Sequence, residues 1–576
     1  MFAVGAGRLK DGQMEYRKLE LATSWNAAGM FVVAAFAAFC VRLGRRRCGF
    51  IESRSGWRAR SVVNDLRYAE ILTGAASACG NVLKIRPPLC FTWNDADIFV
   101  TAATPQGPGK QAAVRSLRGT FDGCEASQSI SDAREIVSAR SLSHVKIGFV
   151  DLDGVLRGKY IAINKFFASL ESGVKFCDVV FGWDSNDQLY DSSTFTGWHT
   201  AFPDATLRID PATCRNVQGE GDMLFFIGEF DGEAAALCPR RLLGRIIDRA
   251  AAMGFKASAA AEFEFFVFDE TPHSLRDKKY RDLKTLTPGW FGYSMLRSSV
   301  ESDFYHALIK LGIEMDTPIE GLHTETGPGV LEAAIEYTDA LAAADRAVVF
   351  KTFSKVLAQR MGKMLTFMAK WSNSYPGQSG HLHLSLRGLD GTPAFHEAGR
   401  PGDMSDVMRW FVGGQQALMP ELLAMVASTV NSYSRLIPGF WAPTDATWGI
   451  ENRTCALRVI PGSPASQRVE YRVAAADINP YLAIAAALGS GLWGIENKIE
   501  PDAPISGNAY EGRRAAERAL PRRLSDAAER LIASKPAREL FGDVFVDHYA
   551  MSRKWEEREF QRAITDWELA RYFEII

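Results

Sequence analysis

Ala261-Glu262-Phe263-Glu264-Phe265-Phe266-Val267-Phe268 sets two carboxylates inside a run of aromatic and aliphatic side chains. The β-forming composition and period of two predict a buried strand, with Glu262 and Glu264 on one face about 6.6 Å apart along the chain. Two anions then share a pocket walled by phenylalanine. Unneutralised carboxylates are costly in apolar surroundings, so this reading asks for a positive partner, and a hard divalent cation is the natural one. The plainer alternative is a half-exposed strand with a polar outer face, and further ligands downstream decide between the two.

Three later segments offer such ligands. Glu325-Thr326-Gly327-Pro328-Gly329-Val330-Leu331-Glu332 carries two glutamates across a Gly-Pro-Gly turn, so the chain can fold back and aim both at one point. Gly377-Gln378-Ser379-Gly380-His381-Leu382-His383-Leu384-Ser385-Leu386 alternates polar with apolar residues, which puts His381, His383 and Ser385 on one strand face opposite leucines. Val469-Glu470-Tyr471-Arg472-Val473 does the same for Glu470 and Arg472. Each segment alone reads equally as an amphipathic strand. Together they pool five glutamates and a histidine, enough for two oxygen-rich metal sites. Arg435, Arg453, Arg458, Arg468 and Arg472 crowd one short region of poorly charged sequence, where guanidinium groups serve carboxylate or phosphate recognition more often than solubility. Carboxylates for metals beside guanidiniums for oxyanions imply phosphoryl transfer from a metal-bound nucleotide.

The rest of the chain bounds this reading. Its 576 residues exceed one core, and 47% hydrophobic content, 23% charged content and a net charge of −2 describe a globular protein without a nucleic-acid signature. Nine scattered cysteines without a C-x-x-C pair predict reduced thiols and a cytoplasmic setting. Residues 1–129 form a distinct extension, poorly ordered or hydrophobic. Within it, residues 25–41 are apolar and precede Arg42, Arg45, Arg46 and Arg47, which leaves a short membrane anchor, an unpacked extension, or a buried or targeting helix as alternatives. From about Ile130 the pattern becomes orderly. Two β-rich runs meet at Asp153-Gly154, suited to a tight hairpin, and open a small α+β domain over 130–236; a larger domain occupies 237–576. There, Thr338 is expected to cap an Ala-rich helix, Asn479-Pro480 to open another, and Asp526 with Glu529 to form a capping box. Gly489-Ser490-Gly491-Leu492-Trp493-Gly494 matches G-x-G-x-x-G literally but lies within the second helix, so it is not read as a dinucleotide site. No Walker A loop occurs.

Taken in order, the E-F-E strand, H-T-E-T-G-P-G-V-L-E, S-G-H-L-H-L-S-L, N-S-Y-S-R-L-I-P-G-F, E-N-R-T-C-A-L-R-V-I, R-V-E-Y-R and D-I-N-P-Y-L-A resemble the glutamine synthetase family from about Ile130 to Ile576. The resemblance implies an α+β protein with a small β-grasp domain, a catalytic domain built on a curved antiparallel sheet, and ring oligomers with active sites between subunits. It implies ATP and two Mg2+ or Mn2+ ions as cofactors. Glu264, Glu325 and Glu332 match the ligands of one ion, and Glu262, His381 and Glu470 those of the other. Arg435 matches the residue that grips the glutamate α-carboxylate, with Gly377 beside it. Arg453 and Arg472 match residues around the transferred phosphoryl group, Arg458 and Arg468 those on the nucleotide phosphates, and Ser385 one in the nucleotide pocket.

The departures carry as much information. Where ammonia-using members place an aspartate and a glutamate around the ammonium, this chain has Val155 and Trp441, an apolar pair resembling that of γ-glutamylamine and γ-glutamylpolyamine ligases. Pro376 stands in place of a common asparagine, Ser379-Gly380 is displaced by one, and Ala465 replaces a lysine near the nucleotide loop. The expected activity is therefore ATP-dependent joining of glutamate to an amine through γ-glutamyl phosphate. A true glutamine synthetase using ammonia and a catalytically inactive structural member are the alternatives. Asp153, near the first-domain hairpin, is the residue put forward to accept the amine proton.

Overall fold

The computed structural model describes residues 129–511 and 515–576, together with the backbone of five short strands, Phe2–Lys10, Gln13–Leu21, Gly49–Ser53, Thr73–Ala76 and Val82–Ile85. These five pair antiparallel in a sheet of their own. The apolar stretch 25–41 lies outside the described residues, among which no helix is long and apolar enough to cross a membrane.

From residue 129 onward the chain builds two mixed layers of sheet and helix, an α+β arrangement. The first sheet contains β1 (His144–Val150), β2 (Leu156–Ala162), β3 (Val174–Cys177), β4 (Asp204–Ile209), β5 (Arg215–Asn216) and β6 (Leu224–Phe230), in the order β2-β1-β6-β4-β3 with β5 on β6. Only β1 and β6 run parallel. The hairpin between β1 and β2 turns at Asp153-Gly154 as the dipeptide predicts, with Gly154 at φ +82° where a side chain is disfavoured.

The second sheet is the one that positions the site. It contains β7 (Phe255–Phe268), β8 (Ile319–Thr324), β9 (Val330–Ile335), β10 (Thr338–Asp339), β11 (Met364–Thr366), β12 (Gly380–Gly388), β13 (Trp448–Ile450), β14 (Leu457–Ile460) and β15 (Arg468–Tyr471). Its order is β8-β9-β7-β12-β15-β14-β13, with β10 and β11 also on β7. One face of β7 is core. Phe263 and Phe265 are fully buried and meet Phe350 of helix α1 (Ala340–Arg360) at centroid distances of 6.5 and 5.9 Å. The opposite face holds Glu262 and Glu264, half-buried, which is the alternation read from the sequence.

Helices α2 (Asp406–Val426) and α3 (Pro480–Asn497) cross closely behind the sheet. Their approach explains the literal G-x-G-x-x-G match. A Cβ on Gly491 would stand 2.2 Å from the Phe411 ring, and one on Gly494 would stand 2.2 Å from the Trp410 carbonyl. These glycines permit helix contact. Helix α3 starts as expected, with Asn479 accepting from the Tyr481 N–H and Pro480 in the first turn.

Two expected caps differ. Thr338 lies in β10, paired with Ala259, so α1 begins one residue later after Asp339, with no side-chain cap. Strand pairing has outcompeted the local cap. Asp526 sits inside the helix Leu524–Ala533, which begins after Arg523, and it accepts from the Arg523 guanidinium at 3.0 Å, so no capping box forms.

Helix α4 (Asp543–Arg562) ties the first sheet's loops to the second layer. His548 bonds the Phe181 carbonyl at 2.8 Å, the Trp555 indole donates to Asp184 at 3.0 Å, and Arg553 is ion-paired with Asp153. Asn479 adds a bond to the Asp151 carbonyl at 2.9 Å.

Candidate active site

Strand register lays residues far apart in sequence side by side. On one rung of the second sheet, His323 of β8 opposes Glu332 of β9, and Glu332 opposes Glu264 of β7. On neighbouring rungs Glu262 of β7 opposes His381 of β12, His383 opposes Glu470 of β15, and Glu470 opposes Arg458 of β14. Directly opposed residues share a face, about 4.5–5.5 Å apart at Cβ. A single polar face therefore collects carboxylates, imidazoles and guanidiniums. Glu325 joins from the turn after β8, where its N–H donates to the Val330 carbonyl at 3.1 Å and closes the Gly-Pro-Gly loop.

Potential ligand atoms converge in two groups, each within 4.8 Å: Glu262, Glu332 and His381; and His323, Glu325 and Glu332. Glu332 belongs to both. This partition differs from the one implied by the family resemblance. Glu264 accepts the Ser379 N–H at 2.6 Å, and Glu470 is held by Arg472 at 2.5 Å and Arg458 at 3.1 Å, with His381 Nδ1 at 3.4 Å. Both therefore border the groups.

The electrostatics ask for cations. Burial, followed by the charges of Glu262 and Glu264, pushes the Glu332 carboxyl up to about 8. Burial alone would lower His323, but its 3.0 Å contact with Glu332 overrides this and raises the imidazole to about 9. Burial likewise opposes ionisation of Glu262 and Glu470, yet His381 and His383 hold Glu262 well below the ordinary carboxylate range, and His381 with Arg472 holds Glu470 at about 2. His381 is 4% exposed, and neither ring nitrogen makes a hydrogen bond. A buried imidazole flanked by Glu262 and Glu470 at 3.8 and 3.4 Å without a proper hydrogen bond, on oxygen-rich ground, fits a divalent metal ion.

The guanidiniums line one side. Arg472 and Arg458 share Glu470, and Arg458 also pairs with Glu451. Arg468 donates to His383 Nδ1 at 3.3 Å, and Ser385 donates to the Gln467 carbonyl at 2.9 Å. Arg453, on the turn between β13 and β14, makes no hydrogen bond or ion pair with the described residues. Its charge is felt at the Tyr293 phenol beside the acids.

Arg435 is only 1% exposed and donates to the Val473 and Arg472 carbonyls at 2.9 and 3.1 Å and to Ser379 Oγ at 2.9 Å. Burial lowers its guanidinium to about 10, still charged at neutral pH. In this conformation it braces the Ser379 turn rather than opening to a ligand. Gly377 lies against it: a Cβ there would stand 2.6 Å from Arg435 Cγ and 2.7 Å from the Ala369 carbonyl. Ser379 thus links Glu264 to Arg435.

Val155 and Trp441 are exposed, at 37% and 55%. Asp153 is taken up by Arg553 in a largely buried pair, so it is not a free base. Arg387 reaches the Ala465 carbonyl at 3.3 Å, bringing a guanidinium to that loop. The structure adds His323 to the site, and His323 with Glu325 repeats the period-two spacing of Glu262 and Glu264. It adds Tyr293 as well, whose ring stacks on His323 at 4.4 Å.

A strand face presenting two groups of side chains that could each hold a metal ion, beside unpaired and shared arginines, has the chemistry of an enzyme site that handles anionic groups. The chain belongs to the glutamine synthetase family: residues 236–572 match the family model for the glutamine synthetase catalytic domain. It is 45% identical over 438 residues to type-1 glutamine synthetase 2 of Dictyostelium discoideum, covering 75% of this chain and 84% of that one. It is 38% identical to the glutamate–isopropylamine ligase of a Pseudomonas species, covering 78% and 99%. A solved structure described as apo GmaS without ligand aligns at TM-score 0.67 and 26% identity, over 77% of this chain and 99% of that one.

Proposed function

We propose that this protein joins the γ-carboxylate of glutamate to a primary amine, consuming ATP and releasing ADP and phosphate. A carboxylate oxygen of glutamate takes the terminal phosphoryl group of ATP. The amine nitrogen then attacks the activated carbonyl, loses a proton, and displaces inorganic phosphate. The observation that carries this reading is the convergence of Glu262, Glu332 and His381, and of His323, Glu325 and Glu332, around Glu332.

These residues would hold two Mg2+ or Mn2+ ions, with Glu264 and Glu470 at their border. Such ions neutralise charge on the transferring phosphoryl group. Arg453, free of ion pairs with the described residues, would approach the phosphoryl oxygens, and Arg472 would join it by exchanging part of its bond to Glu470. Arg458, Arg468 and Ser385 flank the nucleotide. Arg435 orients glutamate once its bond to Ser379 gives way, over the flat floor that Gly377 leaves. Val155 and Trp441 face the amine, where apolar side chains cannot stabilise a bare ammonium by charge. We also read the first sheet, with its parallel β1–β6 pair, as the family's β-grasp domain, the boundary with the catalytic domain near residue 237, and the working enzyme as a cytoplasmic ring with sites between subunits.

Phosphate release measured with ATP, glutamate, Mg2+ and a panel of amines tests this. Release that requires both glutamate and an amine supports it. A higher kcat/KM for ammonia than for any amine would make the protein a true glutamine synthetase, and no release with any acceptor would make it an inactive structural member.

A further inference from the structure

The loops around the acid face carry an unusual number of exposed aromatic rings. Trp290, Tyr293, Phe440 and Trp441 are all solvent-exposed. Two of them are linked through Tyr375 and Lys370, Trp441 adjoins Phe440 in the chain, and Tyr293 stands apart on His323. Trp290 packs on Tyr375 at 5.8 Å, the Tyr375 carbonyl accepts the Lys370 ammonium at 2.7 Å, and that ammonium lies 5.2 Å over the Phe440 ring, next to Trp441.

The rim borders the reacting centre at three points. Tyr375 precedes Gly377, which packs on Arg435; Phe440 and Trp441 follow Arg435 in the chain; and Tyr293 stacks on His323. Tyr293 and Trp441 hold φ of +55° and +59°, a left-handed backbone that bulky side chains seldom adopt. Such strain persists where the surroundings impose it, and it gathers at ligand-binding loops. Exposed on this chain and beside a polar centre, these two strained aromatics gain nothing for its own core.

Resting on the proposed amine ligation, we infer that the aromatic rim from Trp290 to Trp441 receives the substituent of the amine, and that the preferred substrate is a monoamine with an apolar substituent. Apolar groups gain by leaving water against these rings. A diamine would bring a second ammonium to the rim. Aromatic faces can attract a cation, but Lys370 already occupies the face of Phe440 and repels another positive charge. A hydroxyl would leave its hydrogen-bonding partners in water for a surface of rings.

The full-length enzyme, assayed with isopropylamine, benzylamine, ethanolamine, putrescine and ammonia at saturating ATP and glutamate, tests the inference. We expect kcat/KM for isopropylamine and benzylamine to exceed that for putrescine and ethanolamine at least tenfold. Trp441→Ala should raise KM for isopropylamine at least fivefold while KM for glutamate moves less than twofold, and Trp441→Phe should restore it. Trp290→Ala, on a separate loop, should act in the same direction. Trp441→Glu should narrow the gap between putrescine and isopropylamine. Equal or better use of putrescine or ethanolamine would overturn the inference while leaving amine ligation intact, as would Trp441→Ala and Trp290→Ala variants with unaltered selectivity. Preference for ammonia over every amine would overturn both.

Discussion

Replacing Gly377 by alanine tests the link between the Gly377 loop and Arg435. Gly377 does not lie in the left-handed region, so alanine brings no backbone strain, and the effect is purely steric. The added Cβ would stand 2.6 and 2.8 Å from Arg435 Cγ and Cβ and 2.7 Å from the Ala369 carbonyl, closer than real Cβ atoms come. The carbonyl is backbone and cannot step aside. Its neighbour Gln378 donates its own N–H to that same carbonyl at 2.7 Å, which pins the loop. Arg435 is therefore the group that must shift. Overpacking of this kind costs about 1–3 kcal/mol of stability. On the proposed role of Arg435 in orienting glutamate, moving the guanidinium also weakens the charged hydrogen bonds it would give that ligand, at roughly 1.5–3 kcal/mol each, so KM for glutamate should rise by about tenfold or more. Gly244→Ala is the control: it lies in the helix Pro239–Ala252, where an added Cβ meets nothing within 4 Å. That change should be neutral, or stabilising by up to about 1 kcal/mol. Thermal unfolding and glutamate kinetics of the two variants decide the matter. Gly377→Ala with the stability and glutamate KM of Gly244→Ala would refute the reasoning.

Three other outcomes follow from the same structure. Burial holds His548 neutral and lowers its pKa to about 4 against an unfolded value near 6.5, so between these values the unfolded chain binds the proton that the native ring refuses. Stability should fall as pH drops from 6.5 to 4, by up to roughly 3 kcal/mol from this group, and His548→Asn should flatten that slope in urea unfolding. Asp153→Asn leaves Arg553 buried without its anion, and chemical denaturation should register a loss of about 3–5 kcal/mol. Gly494→Ala should destabilise the α2–α3 contact, lowering the melting temperature, while NAD produces no thermal shift in either protein; a clear NAD-induced shift in the unaltered enzyme would revive the dinucleotide reading.

Much of the site was legible because β-strands impose a period of two. Glu262 with Glu264, and His381 with His383, could be placed on one face from spacing alone. What spacing could not supply was register. Which strand lies beside which depends on long-range pairing, so the sharing of Glu332 between two groups and the placement of His323 opposite it became visible only in the assembled sheet. The same limit explains Thr338: its cap chemistry is local, but its pairing partner Ala259 is far away in sequence. The burial of Arg435 was hidden for a related reason. A guanidinium in a sequence carries no sign of whether its donors face a ligand or backbone carbonyls.

Dispersed acidic residues are proposed to hold a pair of divalent ions, and Glu332 is the residue common to both candidate groups. Counting Mn2+ bound per chain, by equilibrium dialysis with electron paramagnetic resonance of the free ion, tests this directly for the unaltered protein and for Glu332→Gln. Two ions on the unaltered chain, with both weakened together in the variant, is the expected result. Retention of two ions at unchanged affinity in Glu332→Gln, or no ion bound to the unaltered protein, would contradict it.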